Sequence, residues 1–239
     1  MTGARRGKSA ERPGPAKYPG ANRQEQSDRL DLVSQYFNIH PTHPQPRLIA
    51  QAAQIVRDGG VIAYPTDSCY AFGCHIGDKD AQQKLRRIRN IDDRHHLTLM
   101  CRNLAEISTY ARFDNAHFRL LKKLTPGSYT FILEATREVP RRLLHVKRKT
   151  IGLRVPQHCV ALQLLEALGE PMLSATAFLP DGSIAANDAH EIRECLEHEL
   201  DLVLDAGPCG IVPTTVLDMT GPQVVVVREG RGDIGAAGM

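Results

Sequence analysis

The sequence predicts an α/β fold, a mixed β-sheet flanked by helices, on three observations. Helical and strand periodicities alternate from Val33 onward, the pattern of chains that pack helices on a sheet. The terminal strand-like runs, Leu202 to Leu204, Thr215 to Met219 and Val224 to Arg228, lie close together, which makes part of the sheet antiparallel. The chain has 239 residues, 42% hydrophobic and 24% charged, the proportions of one ordinary domain carrying a tail.

Taken in order, Leu48, Ile49, Ala52, Ile55 and Val56 recur at helical spacing, and Gly59-Gly60 supplies the stop. The apolar run Val61 to Tyr64 follows and ends at Pro65, a helix feeding a buried strand. Asp80 to Arg89 reads as a second helix, Asn103 with Glu106 as the capping pair of a third, and Asp114 to Leu124 as a fourth. Strands are expected over Leu97 to Cys101, Tyr129 to Glu134 and Ile151 to Val155. The second half repeats the alternation: helix Val160 to Leu168 closed by Gly169, strand Met172 to Ser174, helix Asp188 to His198, then the terminal strands. No internal repeat is visible.

Residues 1 to 32 are rich in Pro, Gly, Arg and Gln and hold too little apolar surface to offset the entropy of ordering. They are expected to form a disordered basic tail, with the folded domain over 33 to 234 and a flexible end over 235 to 239. Because a GTG start codon reads as Val, Val33 is also a candidate for the natural beginning. The tail carries seven Lys/Arg against four acids, the whole of the net +3, so a nucleic-acid role must rest on a local patch. No apolar run approaches the ~18 residues of a membrane span, and the basic start lacks a signal's apolar stretch. A cytoplasmic protein with no membrane partner is expected. The six cysteines include no CxxC pair, which argues for reduced thiols and against a metal site. Cys69 and Cys74 read as small buried hydrophobes, His40, His43, His95 and His96 as loop histidines, and Arg231-Gly232-Asp233 as a chance tripeptide.

Chemistry concentrates at strand ends. Pro65 to Gly73 presents Thr66, Asp67 and Ser68 where a strand stops, the place where open α/β sheets hold ligands; the same residues suit a capping turn. In Arg86-Arg87-Ile88-Arg89, helical geometry puts Arg86 and Arg89 on one face and turns Arg87 away. Their guanidiniums suit a phosphate, or simply a solvated face. Arg141, Arg142, Lys147, Arg148 and Lys149 form a basic stretch able to track an RNA backbone, and equally a surface loop. Thr125 to Thr130 is a turn entering a strand with free hydroxyls and amides, Arg154 ends another strand, Ser174 to Thr176 ends a third, and Pro213-Thr214-Thr215 precedes a fourth.

Together and in this order these segments resemble the YrdC/YciO family, in particular its YciO branch, over essentially all of 33 to 234. The resemblance implies a twisted mixed sheet around a basic concave cavity. It implies threonylcarbamoyl-adenylate synthesis from L-threonine, bicarbonate and ATP with Mg²⁺, releasing pyrophosphate, in the service of tRNA t6A37 modification. By position, Ser68 stands where a family Thr helps hold threonine. Arg87 and Arg89 match the catalytic cations of KxR. Thr130 matches the Thr of PGPxT, Arg154 the arginine of RxP, Ser174 the first residue of SAN with Thr176 at its third place, Thr214 and Thr215 the hydroxyls of STV, and Arg228 a late arginine near the nucleotide.

The chemistry fits the inventory. A threonine carbamate attacking the α-phosphorus of ATP gathers negative charge, which positioned arginines and phosphate-bound Mg²⁺ stabilise without a covalent nucleophile. No GxxxxGK[ST] loop is present. The chain departs from the family at RxR for KxR, Ser174-Ala175-Thr176 for SAN, and Tyr129 within the PGPxT segment. Two alternatives therefore stand beside synthesis: a double-stranded RNA-binding module without synthase activity, of the kind also described in the family and resting on Arg141 to Lys149, and a hydrolase of the adenylate; tRNA or double-stranded RNA is the expected nucleic-acid partner.

Overall fold

The computed structural model describes residues 33–92, 95, 97–144, 149–180, 182 and 184–237. The expected tail over 1 to 32, Lys147, Arg148, His96 and the last two residues lie outside the described residues.

The strands are β1 (Gln35–Asn38), β2 (Ile62–Tyr64), β3 (Ala71–His75), β4 (Thr98–Met100), β5 (Ala111–Arg112), β6 (Tyr129–Ala135), β7 (Thr150–Arg154), β8 (Met172–Thr176), β9 (Leu202–Asp205), β10 (Thr215–Asp218) and β11 (Val225–Arg228). The helices are α1 (Pro46–Arg57), α2 (Lys79–Ile88), α3 (Leu104–Tyr110), α4 (Asn115–Leu124), α5 (Cys159–Leu168), α6 (Ala189–Leu196) and α7 (Ile234–Ala237). One mixed sheet runs β1-β9-β2-β3-β8-β4-β7-β6-β10-β11, with β5 added beside β6. The expected antiparallel end is β10 against β11, while β10 lies parallel to β6.

Helix boundaries follow capping chemistry. Asp78, Asn103 and Asp114 each accept from a backbone N–H of the first turn, at 2.8, 3.0 and 2.8 Å, satisfying amides that have no partner within the helix. Asp188 caps α6 in the same way, so the helices expected from Asp114 and Asp188 begin one residue later. Gly59 and Gly169 take φ of +87° and +80°, the left-handed conformation that closes α1 and α5 at low cost only for glycine.

Three strands escape the periodicity. The middle of β3 is buried on both faces and contains Gly73, so it shows no alternation. The short edge strand β1 is half-exposed, and β5 has only two residues.

The two faces of the sheet are covered differently. On one, Leu99, Phe131, Leu153, Leu173 and Leu217 pack with Leu85 of α2, Leu121 of α4 and Ile192 of α6. On the other, Ile62, Tyr64, Met172, Leu202 and Leu204 pack under Ile49, Ala52, Ala53 and Val56 of α1 and Val160, Leu164 and Leu165 of α5. These helices seal the β1-to-β8 side of that second face. The rest of it walls a cavity.

Candidate active site

The cavity holds about 410 Å³. Successive side chains of a strand alternate faces, so residues two apart line it together: Thr98 and Met100 of β4, Thr130 and Ile132 of β6, Gly152 and Arg154 of β7, Ser174 and Thr176 of β8, Val216 of β10 with Thr214 just before it, and Arg228 closing β11. Strand register sets them side by side: Thr98 pairs with both Gly152 and Ser174, and Val216 with both Thr130 and Arg228. Gly152 forms the floor, where an added Cβ would meet Thr98 Oγ1 at 3.3 Å and Thr130 Cγ2 at 3.5 Å. The β2–β3 connection adds Thr66, Ser68, Cys69 and Tyr70, and Arg89, His95 and Phe178 complete the lining.

Residues 65–70 form a turn held by Thr66, and Ala71 to Gly73 already belong to β3. The Thr66 hydroxyl donates to Cys69 O at 2.6 Å and accepts from the amides of Ser68 and Cys69. The turn leads into β3 rather than a helix, which frees Asp67 from capping. Asp67 instead accepts from Arg154 Nη2 at 2.6 Å, Ser128 Oγ at 2.6 Å and the Gln157 amide at 3.0 Å. Burial alone would push its carboxyl up, but the Arg154 charge and these donors hold it below the usual carboxylate range. Arg154 is 6% exposed, and its buried Nε has no partner among the described residues.

Three guanidiniums line the cavity, those of Arg89, Arg154 and Arg228, and no carboxylate does among the described lining residues. Arg89, just past the end of α2, stacks with its guanidinium carbon 4.6 Å from the Phe178 ring centroid, and its buried Nε too has no partner among the described residues. Arg228 donates to Thr214 O at 3.0 Å, while Thr214 and Thr130 share a hydroxyl contact of 2.8 Å. Ser174 contacts Tyr64 Oη at 2.7 Å and donates to Phe72 O, so its hydroxyl is committed to the wall. Unpartnered guanidinium N–H groups in a half-enclosed space suit a phosphate or carboxylate.

The structure thus brings together Ser68, Arg89, Thr130, Arg154, Ser174, Thr176, Thr214 and Arg228. It sets two expected residues apart. Arg87 points to the surface, its side chain 70% exposed and paired with Glu199 at 3.0 Å, because it sits on the far side of α2 from the cavity. Thr215 turns to the opposite face of β10, where its hydroxyl donates to Gly232 O and accepts from Gly230 N, fastening the chain's last turn. Arg141, Arg142 and Lys149 lie away from this cavity, on a second concavity of about 1070 Å³. There Arg142 donates to Gln82 Oε1 and the carbonyls of Ile76 and Gly77. Thr98, Gly152 and Ile132 went unread in the sequence; their period-two pattern with Met100, Arg154 and Thr130 was the available signal.

A family model for Sua5/YciO/YrdC, described as telomere recombination, matches residues 54–230. The chain belongs to this family. It is 57% identical over 202 residues to YciO of Escherichia coli strain K12, covering 84% of this chain and 98% of that protein. The crystal structure of E. coli YciO superposes with a TM-score of 0.83, covering 85% of this chain and 99% of that one. A threonylcarbamoyl-AMP synthase of Cellvibrio japonicus is 32% identical over 177 residues, 73% of this chain and 92% of that one. The crystal structure of Pyrococcus abyssi Sua5 complexed with L-threonine, 24% identical, shares the fold with a TM-score of 0.75 over 82% of this chain and 58% of its own.

Proposed function

We propose that the chain is an L-threonylcarbamoyl-adenylate synthase of the cytosol, joining L-threonine, bicarbonate and ATP with release of pyrophosphate, in support of tRNA t6A modification. The observation that carries this reading is the cavity itself: three guanidiniums and a row of hydroxyls, with no carboxylate among the described lining residues, in a chain whose sequence relatives include proteins named for that reaction. Arg89 and Arg228 would meet the phosphates. Arg154, held by Asp67, would meet a carboxylate, and Ser68, Thr130, Thr176 and Thr214 would supply neutral hydrogen bonds. Mg²⁺ would arrive on the triphosphate, which suits a cavity without carboxylate ligands. Fixed cations facing the charge that develops at the α-phosphorus supply catalysis without a nucleophilic side chain. The test is incubation with ATP, Mg²⁺, bicarbonate and L-threonine, following pyrophosphate and the adenylate by mass spectrometry. Product that vanishes in Arg89→Ala supports the reading; no product from the wild-type chain overturns it.

One observation favours a second reading, binding of double-stranded RNA. The larger concavity collects Lys79, Arg86, Arg112, Arg137, Arg141 and Lys149 with no acidic lining residue among those described. Such a surface would give duplex affinity that falls with salt, and removing Arg141 or Lys149 would reduce the logarithmic salt slope by about 1 each.

A further inference from the structure

His95 lines the cavity with Arg89 and Phe178, and its backbone is held by two described neighbours. Arg86 Nη1 donates to Asp92 O at 2.5 Å and His95 O at 3.1 Å. The His95 amide donates to Asp92 O and Oδ1. The three arginines of the α2 end thus divide their work: Arg86 holds the carbonyls of Asp92 and His95, Arg87 faces solvent, and Arg89 enters the cavity that His95 also lines.

We infer that His95 is the proton acceptor of this site, taking the proton that a substrate ammonium loses before its nitrogen bonds to carbon. This deepens the synthase reading and rests on it. Amino acids reach the site as R–NH₃⁺, whose nitrogen has no lone pair to attack bicarbonate. Transfer to the imidazole gives R–NH₂ and imidazolium. The amine and HCO₃⁻ then form R–NHCOO⁻ and water. A carbamate oxygen bonds to the α-phosphorus of ATP as the bond to pyrophosphate breaks. The imidazolium returns its proton to solvent.

Elimination leads to the same residue. Burial keeps the Cys69 and Tyr70 protons on, the arginines have no lone pair to offer, and the threonine and serine hydroxyls are not bases. Asp67 is bound to Arg154. Of the described lining side chains, His95 alone holds a basic lone pair at neutral pH. His95 stands at the exposed rim of the cavity, and its partial desolvation together with Arg89, Arg86 and Arg228 disfavours its charged form, with Asp92 opposing, so the empty site keeps it ready to accept. A triphosphate on Arg89 and Arg228 reverses that field and raises its proton affinity.

The test is His95→Gln in the full chain, with two readouts. The first is the pH–rate profile of adenylate formation. The variant is expected to lose about 100-fold or more at pH 7 and to recover toward wild type near pH 9.5, where solution deprotonates the amine. The second is calorimetry of ATP binding, in which the variant is expected to keep wild-type affinity within about 2-fold, as a residue that acts on the amine and not on the nucleotide should. Adenylate formed by wild type and variant with parallel pH–rate profiles overturns the assignment alone and leaves the synthase reading standing. Wild type that binds ATP yet makes no adenylate overturns the synthase reading and the assignment that rests on it. Absence of both ATP binding and product overturns both.

Discussion

Replacing Asp67 by Ala removes the partner of a guanidinium that has almost no access to water. The Arg154 and Asp67 side chains are 8% and 11% exposed and 2.6 Å apart, and Ser128 and the Gln157 amide donate to the same carboxylate. Breaking a buried pair of this kind costs about 3–5 kcal/mol, because the surviving charge is left uncompensated. In a domain of this size each kcal/mol moves the melting point by about 2–4 °C, so Asp67→Ala should melt roughly 6–20 °C lower. Urea unfolding at pH 7 measures the loss directly. The double variant Asp67→Ala/Arg154→Met removes both charges, and should be clearly more stable than the two single losses added together, with a coupling of about 2 kcal/mol or more. The pH dependence has a fixed sign. A carboxyl held below its ordinary 3.8 contributes stability above that value and loses it as pH falls through the lower folded value. The gap between wild type and Asp67→Ala should therefore stay constant from pH 7 to 5 and close only under strong acid. An Asp67→Ala cost below about 1 kcal/mol, or strict additivity in the double variant, would refute the claim that this pair is buried and coupled.

Other outcomes follow from the same geometry. Arg89→Ala should weaken ATP binding by about 10-fold or more, as expected for losing a charge-assisted hydrogen bond, whereas Arg87→Ala, which breaks only an exposed pair with Glu199, should change affinity less than about 2-fold; calorimetry compares them. Gly232→Ala drives a methyl into the Tyr129 ring and should cost about 1–3 kcal/mol by urea unfolding. His95 and His158 both have folded values below 6.5. For His95 the causes are burial and its arginine neighbours; for His158 they are burial, then Asp67 opposing, and Arg154. The unfolded chain takes up these protons first, so stability should fall as pH drops below 6.5, and melting curves of His95→Gln and His158→Gln should flatten that decline.

Much of this was legible in the residues alone. Capping residues such as Asn103 and Asp114, the apolar spacing of α1, and the glycines after α1 and α5 act within a few residues of themselves, so the helices followed from local chemistry. The order of hydroxyls and arginines at strand ends marked the segments that meet in the cavity, while the alternation that pairs Ile132 with Thr130 and Gly152 with Arg154 was present in the strands and went unread. What local chemistry lacks is the knowledge of which face is covered. Thr214 and Thr215 are interchangeable in sequence, yet one faces the ligand space and the other fastens Gly230 and Gly232. Asp67 had a capping role open to it until Arg154, 87 residues away, took it. Arg86, Arg87 and Arg89 stood as one basic cluster until their side chains met a loop carbonyl, Glu199 and Phe178 respectively. Two of those partners, Glu199 and Phe178, come from distant parts of the chain. Only the packing of α1 and α5 over one side of the sheet, which leaves the other side open, decides which charges are buried together and which meet water.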